Sequence, residues 1–70
     1  MTEAERIGKN IKELITRKST NAAQVAKEMG VDRGVLYNYI RGRSVPGGLM
    51  LKELVEVLDC EYEDILGPTE

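Results

Sequence analysis

The 70-residue sequence predicts an all-α fold of five short helices. Apolar residues recur at spacings of three and four along successive segments, which is the period of an amphipathic helix. Clusters of Gly, Pro, Ser, Asn and Asp separate these segments and are typical of turns. Hydrophobic residues make up 41% of the chain, without Phe or Trp, so aliphatic side chains and Tyr must form a modest core. We expect one domain over residues 1–70, with its core at about 5–66 and a frayed tail at 67–70.

The first helix is predicted over residues 4–18. Its apolar stripe is formed by Ile7, Ile11, Leu14 and Ile15. The polar segment Ser19-Thr20-Asn21 ends this helix. Asn21 is the expected N-cap of the next helix, because its short side chain can accept a hydrogen bond from a free backbone N–H.

Two short helices follow at about 22–29 and 33–41, joined by a tight turn at Gly30. Glycine takes the left-handed conformation that ends a helix without steric cost, and Asp32 is a plausible N-cap for the second helix. The small side chain of Ala26 lets the two helices approach closely. The pattern is a helix-turn-helix, in which one helix is held at a steep angle across another.

A loop rich in Gly, Ser and Pro is predicted over 42–48, followed by a fourth helix over 49–58. Its inward residues are expected to be Leu51, Leu54, Val55 and Leu58. A last short helix is predicted near 61–66. The residues expected to complete the core there are Cys60, Ile65 and Leu66.

The formal net charge of −2 hides a strong asymmetry along the chain. Residues 1–50 contain nine Lys or Arg and five Asp or Glu, whereas residues 51–70 contain one Lys and seven Asp or Glu. Such a division suits a module with one basic face and an acidic far side. Composition alone slightly favours the alternative, an acidic soluble protein of mixed surface charge.

Several classes of protein are not predicted. The chain has no apolar run near the ~20 residues of a membrane span, and its start lacks the order of a secretory signal. A single cysteine, Cys60, fits a reducing cytoplasm, so a cytoplasmic protein is expected. With no histidine and no partner for that cysteine, we predict no enzyme, no metal site, no cofactor and no small-molecule ligand.

The chain resembles the Cro and phage-repressor (Xre-like) family of helix-turn-helix DNA-binding domains from about Ile7 to Leu66. The matching residues are Ile7-Gly8, Ile11-Lys12-Glu13-Leu14, Val25-Ala26, Met29-Gly30-Val31, Leu36, Arg41-Gly42-Arg43, Pro46, Leu51, Leu54 and Leu58. The combination at this spacing is specific, although no single motif is. The resemblance implies a compact five-helix lambda-repressor-like domain that binds double-stranded DNA.

Three positions depart from the family. The second helix commonly begins with Gln, which touches the DNA backbone, and here carries Ala22. Asn10 stands where Arg is frequent, and Ile40 stands where its acidic partner is frequent. Both charges are absent together, so no buried charge is left unpaired and the fold should tolerate the change. A phosphate contact from position 10 should be lost or weakened.

The outward face of the third helix carries the residues that, by resemblance, face base edges in the major groove: Arg33, Gly34, Tyr37 and Asn38. Arg can donate two hydrogen bonds to guanine, and Asn can bond adenine or take a phosphate. Tyr37 can contact a thymine methyl group, donate its hydroxyl to a phosphate, or pack over the rim of the core. Gly34 lets the helix backbone approach closely. The alternative for the polar residues is a solvated helix face.

Phosphate contacts are expected around this helix. The candidates are Asn21, Arg41, Arg43, Gly47 and Gly48. The arginines follow the helix directly, and the other three lie at helix starts, where free N–H groups bind anions. For the two glycines the alternative is a plain loop.

One copy should bind DNA weakly, because each contributes few phosphate contacts. The family binds two-fold symmetric operators, so a weak homodimer, or a dimer that forms on DNA, is expected. Relatives use the region of the fourth and fifth helices as the partner surface, which here corresponds to Tyr62 and its neighbours. The nearby acids Glu61, Glu63 and Asp64 would repel a second copy unless they splay outward.

Two functions remain open from the sequence. The first is a sequence-specific transcription regulator that acts as a repressor by occupying a palindromic operator. The second is a protein-interaction module of the antitoxin or anti-regulator type that kept the fold. Arg33, Arg41 and Arg43 favour DNA, whereas Ala22, Asn10 and the acidic final third favour a protein partner.

Overall fold

The computed structural model describes residues 1–68, and the described chain forms five helices without strands. The helices are α1 (Glu3–Arg17), α2 (Ala22–Met29), α3 (Arg33–Ile40), α4 (Gly48–Leu58) and α5 (Tyr62–Leu66). The all-α, five-helix prediction is confirmed, with helix ends that differ by one residue from those expected. Of the predicted tail at 67–70, residues 69 and 70 lie outside the described part.

α1 begins with a capping box. The Glu5 backbone N–H donates to the Thr2 hydroxyl (3.2 Å), and the Thr2 backbone N–H donates to the Glu5 carboxylate (2.9 Å). These bonds satisfy two donors at the helix start. The hydrogen bonds of the Glu5 carboxylate with Thr2 also hold the pKa of Glu5 below its usual value. The Thr-x-x-Glu spacing predicts such a start, and it explains why α1 begins at Glu3.

The turn between α2 and α3 has the predicted left-handed glycine. The Asn21 side chain accepts from the Gln24 N–H (2.9 Å) at the start of α2, and Gly30 ends α2 with φ of 73°. The Val31 N–H then donates to the Ala26 carbonyl (2.9 Å) and closes the helix end. Asp32 occupies the N-cap position of α3, but its side chain makes no capping hydrogen bond.

One hydrophobic core joins all five helices. Its buried members are Ile7, Ile11, Leu14, Ile15, Ala22, Val25, Ala26, Met29, Leu36, Tyr39, Leu54, Leu58 and Ile65. α1 packs against α3 and α5, whereas α2 packs against α3 and α4. The predicted inward residues of α4 all belong to this core or pack against it.

α1 and α3 approach each other at Gly8. A Cβ atom at this position would lie 2.2 Å from the Tyr39 carbonyl oxygen and 2.7 Å from that of Ile40. Backbone atoms cannot yield as a flexible side chain can, so only glycine allows this crossing. The contact sets how the end of α3 rests on α1.

Asn10 ties α1 to the end of α5. Its buried side-chain amide donates to the carbonyls of Ile65 (2.8 Å) and Gly67 (2.9 Å). These carbonyls lie at a helix C-terminus, where carbonyl groups lack partners within the helix. The side chain is therefore directed to the interior of the fold.

The prediction that Leu66 completes the core is wrong. Leu66 is 39% exposed, whereas the preceding Ile65 is fully buried. Leu66 is the last residue of α5, and its side chain lies on the exposed side of the helix, whereas Ile65, about 100° away around the helix axis, faces the core. Cys60, by contrast, is half-buried against the core as expected.

No helix within residues 1–68 is long and apolar enough to cross a membrane.

Candidate nucleic-acid interface

The outward face of α3 is defined by the side of the helix that the core leaves uncovered. Leu36 and Tyr39 bury the inner side. The base-edge candidates are on the other side, where Arg33, Tyr37 and Asn38 are exposed and Gly34 is half-buried. The structure thus brings these four residues together on one accessible surface. We call them, together with Arg41, the outer face of α3.

The turn after α3 holds the two arginines close to the helix end. The Arg41 N–H donates to the Tyr37 carbonyl (2.9 Å), and the Arg43 N–H donates to the Asn38 carbonyl (2.9 Å). Gly42 lies between them with φ of 74°, the left-handed conformation that favours glycine. The chain therefore folds back at Gly42, and both arginines remain beside the outer face of α3.

The same turn packs against the start of α1. A Cβ atom at Gly42 would lie 2.9 Å from Glu5 Cγ and 3.0 Å from Glu5 Cα. The capping box of α1 and the arginine turn are therefore in direct contact. The sequence analysis did not predict this contact, because residues so far apart in the chain carry no local signal of their proximity.

The arginines are available to an anion. Within residues 1–68 the single ion pair joins Lys18 and Asp59 (3.6 Å), at the surface. The guanidinium groups of Arg33, Arg41 and Arg43 have no carboxylate partner in that part of the chain. All three side chains are exposed, so a phosphate or a base edge can reach them.

Arg41, the C-cap residue of α3, contacts an aromatic ring on that helix. Its guanidinium carbon lies 5.7 Å from the centre of the Tyr37 ring, which is within the range of a cation–π interaction. Tyr37 is 39% exposed, so its ring is accessible on the surface of the helix. The sequence analysis missed this pair, although the spacing of four residues on a helix is its signal.

The remaining phosphate candidates lie at the starts of other helices. Asn21 caps α2, Gly47 is the N-cap residue of α4, and Gly48 is its first residue rather than part of the loop. No atom lies within 4 Å of a Cβ built at either glycine, so an outside group has room to approach their amides. Ala22 is buried at the position where the resemblance expects Gln.

The predicted contact surface for a second copy lies on α5. Tyr62 is 47% exposed, and Leu66 on the same helix is 39% exposed. The Glu61 N–H donates to the Asp64 carboxylate (2.9 Å), so this acid closes the start of α5. Glu61, Glu63 and Asp64 are all exposed.

Comparison with known proteins agrees with this architecture. A helix-turn-helix family model, HTH_3, matches residues 11–65, which is more than half of the chain. A search of curated proteins finds no match. The solved structures that are similar to this chain include two with sequence identities below 25%, which show the fold alone.

The clp gene regulator ClgR from C. glutamicum superposes with a TM-score of 0.86 at 21% identity, covering 94% of this chain and 86% of that one. The restriction-modification controller protein C.AhdI from Aeromonas hydrophila superposes with a TM-score of 0.83 at 24% identity, covering 89% of this chain and 94% of that one. The five helices, the turn at Gly30 and the family match lead to one conclusion. The chain belongs to the HTH_3 family of Cro/C1-type helix-turn-helix proteins, which are DNA-binding transcription regulators.

Proposed function

We propose that this protein is a sequence-specific repressor that binds double-stranded DNA with α3 in the major groove. The observation that carries the proposal is the outer face of α3, where exposed arginines flank polar and aromatic side chains and have no carboxylate partner within residues 1–68. A helix of this size fits the major groove, in which every base pair presents a distinct set of donors and acceptors. The unpaired arginines supply the charge that attracts the phosphate backbone.

The base-reading roles follow from side-chain chemistry. Arg33 opens α3 and would donate two parallel hydrogen bonds to a guanine. Asn38 would bond an adenine or a phosphate, and Gly34 would let the helix backbone approach the base edges. Tyr37 would offer its ring to a thymine methyl group.

The phosphate contacts would surround this helix. Arg43 lies on the turn after α3, and the amides at Gly47 and Gly48 open α4 towards solvent. Asn21 and the first N–H groups of α2 form a second helix start that favours an anion. Together these groups would set the orientation of α3 on the duplex.

We infer that two copies bind one palindromic operator. Few phosphate contacts per copy make a monomer a weak binder. Two half-sites about one helical turn apart, ~34 Å, would let the two copies add their free energies of binding. Tyr62 on α5 is our candidate for the contact between copies. An occupied operator blocks polymerase, which is why we propose repression, and a DNA ligand places the protein in the cytoplasm with the nucleoid.

A protein-interaction module is the second candidate function. Ala22 is buried and offers no side-chain amide to a phosphate, which removes a contact that the resemblance implies. The exposed acids Glu63 and Asp64 lie on the same short helix as the exposed Tyr62 and Leu66, a combination suited to a basic protein partner. An enzymatic function is not proposed. Burial and the charge of Asp64 raise the pKa of the Cys60 thiol, which keeps it protonated and unreactive near neutral pH.

Selection from a random pool of duplexes at low salt tests the proposal. Enrichment of a palindromic sequence, with a complex mass of two copies in sedimentation, is the expected result. If no duplex is enriched, the DNA-binding proposal is wrong and the interaction module is favoured.

Arg33→Ala is expected to reduce the preference for the selected duplex over random DNA by roughly 5–150-fold per half-site, because a bidentate contact to guanine is worth ~1–3 kcal/mol. Titration of both duplexes measures this ratio. Lys27→Ala is the matched control, since it removes a charge from the exposed side of α2 and should leave the ratio unchanged. Equal losses of affinity on both duplexes for Arg33→Ala would contradict base reading.

Arg43→Ala is expected to weaken binding on every duplex to a similar degree. Loss of one phosphate contact should make the plot of log affinity against log salt shallower by about 0.9 per bound copy. Titrations between low and moderate salt provide that slope. An unchanged slope would show that Arg43 makes no phosphate contact.

A further inference from the structure

We propose that Tyr37 and Arg41 act as one unit that recognises the C5-methyl group of a major-groove pyrimidine, with Arg41 as the positioning residue for the ring. The inference rests on the proposed DNA-binding function and deepens it. It also revises the role of Arg41, which the sequence assigned to a phosphate.

The geometry of the pair supports this role. Tyr37 lies in the middle of the outer face of α3 and is 39% exposed, so part of its ring is open to a ligand. Helical side chains lean towards the N-terminus of their helix, so Arg41 reaches back over the preceding turn. Its guanidinium carbon lies 5.7 Å from the ring centre, a contact that favours one orientation of the ring before any ligand arrives.

A ring held in this way is matched to an apolar ligand. The C5-methyl group is the apolar feature of a thymine edge in the major groove, and the other groups there are hydrogen-bond donors and acceptors. A ring that is already ordered loses less conformational entropy on contact with that methyl group than a freely rotating one. The same methyl group on 5-methylcytosine would be recognised in the same way.

Arg41 and Arg43 both flank Gly42, but they differ in whether they contact an aromatic ring. Arg41 stacks on Tyr37, whereas no ring contact involving Arg43 occurs within residues 1–68. A planar guanidinium stacks on an aromatic face and keeps its charge while doing so. Arg43 is therefore the matched control, with the same charge at the same turn but no ring to position.

The experiment uses the duplex obtained by selection and replaces each thymine in turn with uracil, which removes only the methyl group. Wild-type protein should lose roughly fourfold in affinity at one position of each half-site, the effect of no longer burying one methyl group. At the same position, 5-methylcytosine should bind more tightly than cytosine. Tyr37→Phe should keep the thymine-to-uracil ratio, and Tyr37→Ala should abolish it.

The arginine variants separate positioning from phosphate binding. Arg41→Gln should reduce the thymine-to-uracil ratio to about one while the salt slope is retained. Arg43→Gln should keep the ratio while the slope falls by about 0.9 per copy. Circular dichroism confirms that each variant is folded.

Three results would overturn the inference. A wild-type protein that is insensitive to every thymine-to-uracil change reads no methyl group. Arg41→Gln with an intact ratio and a shallower slope makes Arg41 a phosphate contact. If selection enriches no duplex, the proposed DNA-binding function is wrong as well. The first two results overturn only the recognition of the methyl group, so the two kinds of failure can be told apart.

Discussion

Gly8→Ala is expected to lower the free energy of unfolding by roughly 3 kcal/mol, at the upper end of the usual cost of overpacking. The new methyl group would lie 2.2 Å from the Tyr39 carbonyl oxygen, so α1 and α3 must move apart. The gain in helix propensity of ~1 kcal/mol on replacing Gly is too small to offset this clash. A domain of this size has roughly 4–10 kcal/mol of stability in all. Urea denaturation monitored by circular dichroism measures the change.

Gly48→Ala is the control for Gly8→Ala. It makes the same substitution on α4, where no atom lies within 4 Å of the added Cβ, and it should be neutral or slightly stabilising. In thermal denaturation Gly8→Ala should lower Tm by about 12–24 °C. A loss within ~0.5 kcal/mol of the control would contradict the close contact between α1 and α3.

Asn10→Asp is expected to lower the free energy of unfolding by roughly 1–3 kcal/mol at pH 7, the cost of leaving buried hydrogen-bonding groups unsatisfied. The loss is limited because the Arg6 guanidinium, which donates to the Leu66 carbonyl (3.1 Å), lies at the same helix end and offsets part of the buried charge. The wild-type amide donates to the carbonyls of Ile65 and Gly67. A carboxylate would direct its own oxygens at these two acceptors, in a site where wild-type Asn10 is only 6% exposed. Denaturation in urea at several pH values measures both the loss and its pH dependence.

The sign of that pH dependence follows from linkage. Burial and the two carbonyl oxygens disfavour the charged form, so the folded-state pKa of the new carboxyl lies above its unfolded value of about 3.9. The destabilisation relative to wild type should be smallest below pH ~3.9 and should grow as pH rises through the folded-state pKa. Asn10→Leu should show no such pH dependence. Asn38→Asp, at an exposed position, should lower the free energy of unfolding by less than ~0.5 kcal/mol. A loss of stability in Asn10→Asp that does not change with pH would contradict the burial of this side chain against the two carbonyls.

Local patterns were sufficient to predict the helices and their turns. The apolar stripe of α1, the cap at Asn21 and the left-handed Gly30 depend on residues three or four positions apart, and each is found in the structure. The outer face of α3 follows from the same periodicity, since the side not occupied by Leu36 and Tyr39 must face solvent. Its role in reading DNA stays a prediction that the experiments above test.

Other features depend on partners that a linear pattern cannot identify. Asn10 bonds to Ile65 and Gly67, more than fifty residues away. Gly8 looks like an ordinary helix glycine until α3 is placed across it. Hydropathy alone places Leu66 in the core, but in α5 Ile65 faces inward and Leu66 does not, because the way the helix packs decides which of two adjacent apolar residues is buried.

The contact between Glu5 and Gly42 has a practical consequence for handling the protein. Thr2 is hydrogen-bonded to Glu5, and Glu5 touches the turn that carries Arg41 and Arg43. Any residues joined before Met1 would therefore emerge beside the surface we assign to the phosphate backbone. A purification tag at that end would compete with the duplex or, if rich in histidine, add adventitious positive charge at low pH. Binding measurements should therefore use protein from which such an extension has been cleaved.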